Sequence, residues 1–141
     1  LASKAQLLHV ESGSGFGSAG ELHAIELGKS TPAFVIDGAY GNHGELYSSQ
    51  TIVALHRGAW AEVARVTALT DNDGSDDCAA HPRRCLRLTL SVSARGSADP
   101  ADLVVMLRGT RGGRRTTRRY TLRFDDKRGA YAVPRALQPL D

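Results

Sequence analysis

Along 85–94, CLRLTLSVSA, apolar and polar side chains alternate without a break. Leu86, Leu88, Leu90 and Val92 fall on one side, and Arg87, Thr89, Ser91 and Ser93 on the other. A period of two marks a strand with one buried face. Shorter strand-like runs recur at AQLLHV (5–10), ELHAIEL (21–27), PAFVIDGAY (32–40), TIVAL (51–55), WAEVARV (60–66), LVVMLR (103–108), RRYTLRF (118–124) and AYAV (130–133). Turn-forming residues separate them: GKST (28–31), GNHG (41–44), Arg57–Gly58, GSADPAD (96–102) and DDKRG (125–129). WAEVARVTAL (60–69) also admits helical spacing through Trp60, Val63 and Ala64, but its β-branched residues and hairpin setting favour strand. The pattern predicts an all-β fold, an antiparallel β-sandwich or barrel of about seven to eight short strands with little helix.

Composition sharpens this only a little. The 141 residues, 41% hydrophobic and 23% charged, predict a single β-rich domain over 1–141. No apolar run approaches the roughly 20 residues of a membrane-spanning helix. The chain begins at Leu1 rather than Met, which reads as a processed or trimmed product. The net charge of +3 assists contact with polyanions without requiring it. Basic residues are 15 arginines against 3 lysines, so a single arginine carries little weight. The 2 cysteines, Cys78 and Cys85, form a close pair that predicts a disulfide and hence a periplasmic or secreted protein.

Two stretches carry the candidate chemistry. The first is TDNDGSDDCAAHPRRC (70–85). Within it Asp71, Asp73, Gly74 and Asp77 spell D-x-D-G-x-x-D. The segment resembles the calcium loops of FG-GAP-type propeller repeats and dockerins over seven residues, with Leu69 in place of their first acidic residue. That resemblance implies calcium on Asp71, Asp73 and Asp77, the one cofactor suggested by these residues. Zinc on Cys78, His81 and Cys85 offers three ligands where structural sites use four. A Cys78–Cys85 clasp would instead present His81, Arg83 and Arg84 on a restrained knuckle beside an acidic arm. The second stretch, RGTRGGRRTTRRY (108–120), holds Arg108, Arg111, Arg114, Arg115, Arg118 and Arg119 around Gly109, Gly112 and Gly113. It predicts a hairpin with a glycine-rich, positive tip whose guanidinium forks suit carboxylate or phosphate.

Catalytic and nucleotide signatures are weak. GFGSAG (15–20), with Asp37 beyond it, fits G-x-G-x-x-G, but neither the preceding strand nor the following helix is in place. GKST lacks the first glycine of a phosphate loop, His23 standing there, and Pro32 follows it. No G-x-S-x-G elbow occurs, and of the five histidines His43, at a loop tip with Glu45, is the first candidate for acid–base chemistry. The preferred expectation is a non-enzymatic extracytoplasmic domain that binds another macromolecule, of the bacterial periplasmic inhibitor or immunity type. Its partner would be a protein with an acidic surface or an anionic glycan. Nucleic acid is disfavoured because the hairpin tip has no aromatic residue for stacking. The alternatives are a calcium-stabilised carbohydrate-binding module or propeller-like fragment, and an enzyme acting through His43 and Glu45.

Overall fold

The computed structural model describes residues 18–139. The strand expected over 5–10 and the first half of the glycine motif, 15–17, lie outside the described residues. Seven strands follow: β1 (Ser18–Glu26), β2 (Pro32–Asn42), β3 (Glu45–His56), β4 (Ala59–Asp71), β5 (Leu86–Arg95), β6 (Asp102–Arg111) and β7 (Arg114–Leu122). They join neighbour to neighbour in one antiparallel sheet of order β1-β2-β3-β4-β5-β6-β7. Phe124–Asp125 (β8) and Ala130–Tyr131 (β9) form a second, two-stranded sheet. The only α-helix among the described residues is the five-residue α1 (Asp76–Ala80). The fold is therefore all-β, and because β1 and β7 do not pair, the large sheet is open rather than closed into a barrel.

Three hairpins turn in two residues each. The pairs Asn42↔Glu45, His56↔Ala59 and Arg111↔Arg114 close around His43–Gly44, Arg57–Gly58 and Gly112–Gly113. Both central residues of every turn have positive φ, as the twist-matching two-residue hairpin requires. WAEVARVTAL is strand throughout, inside β4.

β4 and β5 meet at a single residue pair, Asp71↔Arg87, and then diverge. The sheet thus divides into two leaves, β1–β4 and β5–β7, that share one buried cluster. Leu27, Val35, Ile52, Ala64 and Val66 come from the first leaf and its adjoining turn, and Leu90, Leu103, Val105, Leu107 and Leu122 from the second. The chain after β7 packs into the same cluster with Tyr131 and Leu137. The Tyr131 hydroxyl donates to the Ala101 carbonyl at 2.6 Å, and burial pushes its pKa up. β5 has the alternation expected of it, with Leu86 and Leu90 buried and Arg87, Thr89, Ser91 and Ser93 exposed.

The turn after β1 is held by the loop between β5 and β6. Asp99 accepts hydrogen bonds from Thr31 Oγ1 at 2.6 Å, Ser30 Oγ at 2.7 Å and the Ser30 amide at 3.0 Å. GKST is thus a structural turn with an anion already in place, the carboxylate of Asp99. No helix among the described residues is long and apolar enough to cross a membrane.

Candidate anion-binding site

The acidic stretch is more ordered than a surface loop. Ser75 caps α1 by accepting the Cys78 amide at 3.1 Å, with Asp76 and Asp77 in the first turn where they complement the helix dipole. Pro82 then starts a one-turn 3-10 helix, Pro82–Arg84. Cys78 and Cys85 form the expected disulfide. Asn72 fixes the base of this knuckle. Its side chain donates to the Arg84 carbonyl at 3.0 Å and accepts the Leu86 amide at 2.7 Å, and the residue is 6% exposed. On its other flank the loop meets the first leaf: a Cβ on Gly44 would collide with the Gly74 carbonyl, so only glycine fits there.

The knuckle sits directly on the β6–β7 turn. The Gly112 amide donates to the Cys85 carbonyl at 2.7 Å. A Cβ on Gly112 would lie 2.8 Å from the Arg83 carbonyl oxygen, so this glycine allows the two segments to touch. The result joins both sequence candidates. Arg83 from the knuckle and Arg111, Arg114 and Arg115 from the hairpin line one depression of about 600 Å³ with Gly112 and Thr116. All four arginines are exposed, no acidic residue lines the depression, and none of the four forms an ion pair among the described residues. Clustered, uncompensated guanidiniums around a concavity can take a multivalent anion through bidentate hydrogen bonds.

The remaining candidates go elsewhere. Arg84 pairs with Asp77 at 2.8 Å, and Arg87, not a candidate from the sequence, pairs with Asp73. Asp71 accepts the Asp73 amide at 2.8 Å. The carboxylates of Asp71, Asp73 and Asp77 thus each have their own partner. The one cluster of three ligand-type side chains among the described residues is Asp73 with Cys78 and Cys85, whose sulfurs are already bonded to each other. His81 is exposed, and its backbone amide closes α1 by donating to the Asp77 carbonyl at 2.8 Å. Alternation along β6 and β7 separates the other arginines. Arg118 lies opposite Leu107 and lines a smaller, partly apolar hollow with Leu88 and Tyr120, whereas Arg119 lies opposite Met106 and Arg108, opposite Thr117, lines a separate cleft between the leaves. Glu45 accepts from the Tyr47 hydroxyl at 2.7 Å, and this bond is the main cause that raises the Tyr47 pKa to about 12. His43 is exposed at the turn with φ 49°.

Asn72 and Gly112, which bring knuckle and hairpin together, were not sequence candidates. A glycine pair between strands signals a turn, but its contact with residue 83 is non-local and leaves no trace in spacing. Comparison with known protein families, curated proteins and solved structures returns no match.

Proposed function

We propose that this protein is a non-enzymatic, extracytoplasmic binding domain that captures a macromolecule with clustered carboxylates, an acidic protein surface or an anionic glycan. A small inhibitor or immunity-type protein would work in this way. The observation that supports the reading is the convergence of Arg83, Arg111, Arg114 and Arg115 on one depression with no carboxylate among them. The disulfide under that depression accords with an oxidising compartment. It also supplies rigidity, which reduces the entropy lost when a partner is bound.

The test uses polyglutamate and polygalacturonate as immobilised probes. The expected result is retention on at least one polymer, weakened tenfold or more in the double variant Arg114→Glu/Arg115→Glu, whose melting temperature stays at the wild-type value. Arg118→Glu/Arg119→Glu, away from the depression, should bind like wild type. Equal retention of wild type and the Arg114→Glu/Arg115→Glu variant on both polymers would remove the assignment.

A further inference from the structure

Where β4 and β5 part, a cleft of about 450 Å³ opens between the leaves. Asp37, Ser48 and Gln50 line it from β2 and β3, and Arg87, Thr89 and Arg108 from β5 and β6. The two walls share no residue with the arginine depression at the knuckle.

Asp37 and Gln50 occupy core-facing positions. In the register of β2 with β3, Ala33↔Ala54 and Val35↔Ile52 are aliphatic pairs in the core, and the next pair on that face is Asp37↔Gln50, followed by Ala39↔Ser48. A face that is aliphatic for two pairs turns polar where the cleft begins. Gln50 Nε2 donates to Asp37 Oδ1 at 2.7 Å, while Gln50 Oε1 is buried and accepts nothing among the described residues. An unused buried acceptor is destabilising, a cost the fold would avoid with an aliphatic pair.

On the opposite wall Arg87 is engaged by Asp73, but Arg108 is exposed and has no ion pair among the described residues. The cleft therefore sets the carboxylates of Asp37 and Asp71 and several hydroxyls against one available guanidinium. Its volume is within the roughly 300–1,000 Å³ of small-molecule sites.

We propose that the cleft binds a small polyhydroxylated molecule with a single anionic group, an acidic monosaccharide such as a uronate or a sugar phosphate. Ligand hydroxyls donate to Asp37 and exchange hydrogen bonds with Ser48 and Thr89, and the Arg108 fork takes the carboxylate or phosphate. A bare anion is disfavoured because Asp37 repels it, and a neutral sugar leaves Arg108 unused. The chemistry calls for both ends in one molecule.

The experiment titrates the full chain with glucuronate, glucose 6-phosphate, glucose and inorganic phosphate, followed by amide NMR shifts. Saturable shifts at Gly38, Thr89 and Gly109 are expected with glucuronate, glucose 6-phosphate or both, at least tenfold tighter than with glucose or phosphate. Glucuronate alone identifies a uronate site, and glucose 6-phosphate alone a sugar-phosphate site. Asp37→Asn should weaken the bound acid tenfold or more, and Arg108→Met should abolish the preference for acid over glucose. If Asp37→Asn does not fold, Ser48→Ala serves, with a loss of threefold or more expected. The Arg114→Glu/Arg115→Glu protein should bind these ligands as wild type does, which separates this site from the macromolecular one. No saturable shift with either acid, inorganic phosphate binding as tightly as the sugars, or variants that bind unchanged would each overturn the proposal.

Discussion

Asp99 lies in an exposed loop, yet three hydrogen bonds from Thr31 and Ser30 converge on its carboxylate. Those bonds, that of the Thr31 hydroxyl foremost, favour the charged form and hold its pKa below the ordinary value. A carboxylate whose pKa is depressed by folding stabilises the protein above its unfolded pKa. That contribution fades as pH falls through the lower folded value. Melting temperature should therefore drop more steeply on acidification below about pH 4 in the wild type than in Asp99→Asn, since the variant has no proton to gain there. Parallel acid limbs for the two proteins would show that the Asp99 clasp contributes nothing. Asp37 illustrates a residue whose role was open to sequence reasoning and missed. Positions 33, 35 and 37 share one side of a strand, so a carboxylate continued an aliphatic row. The run PAFVIDGAY was read as a strand, and its one charge was weighed only against a nucleotide motif.

At the level of elements, the strands were the legible part because alternation is a local property of the chain. β5 and β4 match the runs read from the sequence, and each of the three tight turns falls at a residue pair ending in glycine. The arginine stretch was legible as a hairpin with a glycine-rich tip: β6 runs through Arg111, β7 starts at Arg114, and Gly112 and Gly113 form the turn. Only the arginines flanking that turn, Arg111, Arg114 and Arg115, line the depression with Arg83, while Arg108, Arg118 and Arg119 lie farther along the strands. Two measurements belong here. His43→Asn replaces an exposed residue in a left-handed position with one that tolerates it better, and should stabilise by about 0.5 kcal/mol in urea unfolding. Unchanged or lower stability would show that the turn is not limited by backbone strain. The double variant Cys78→Ser/Cys85→Ser should cost on the order of 2–3 kcal/mol. It should also weaken binding to the acidic polymer, because Arg83 is then held by its neighbours alone. Full affinity without the disulfide would confine the clasp to a stability role.

Across the whole molecule, charge is sorted by place rather than spread evenly. Near the knuckle Arg84 and Arg87 pair with two aspartates of the acidic arm, Asp77 and Asp73, while the four arginines of the depression have no ion pair among the described residues. Exposed charges are strongly screened by salt, with a Debye length of about 8 Å at 0.15 M. Retention on an acidic polymer should therefore fall steeply between about 0.05 and 0.5 M salt, and the slope should flatten in Arg114→Glu/Arg115→Glu. A salt-independent affinity would point to an apolar contact instead, and the exposed Leu22 and Phe34 of the first leaf would then be the surface to examine. What the sequence withheld at this scale was the approach of residue 83 to residue 112, since it depends on the register that sets Leu86 opposite Arg111.

The order of the strands also bears on how the molecule is made. In a sheet of order β1-β2-β3-β4-β5-β6-β7 every strand pairs with the one just before it in the chain. A polypeptide emerging N-terminus first can dock each new strand on an edge already in place, without waiting for a distant partner. The last contribution to the core, from Tyr131 and Leu137, arrives after all seven strands. Until then the part of the apolar interior that Tyr131 and Leu137 cover stays open, so a chain halted before these residues would be more exposed to aggregation and to proteases than the complete one.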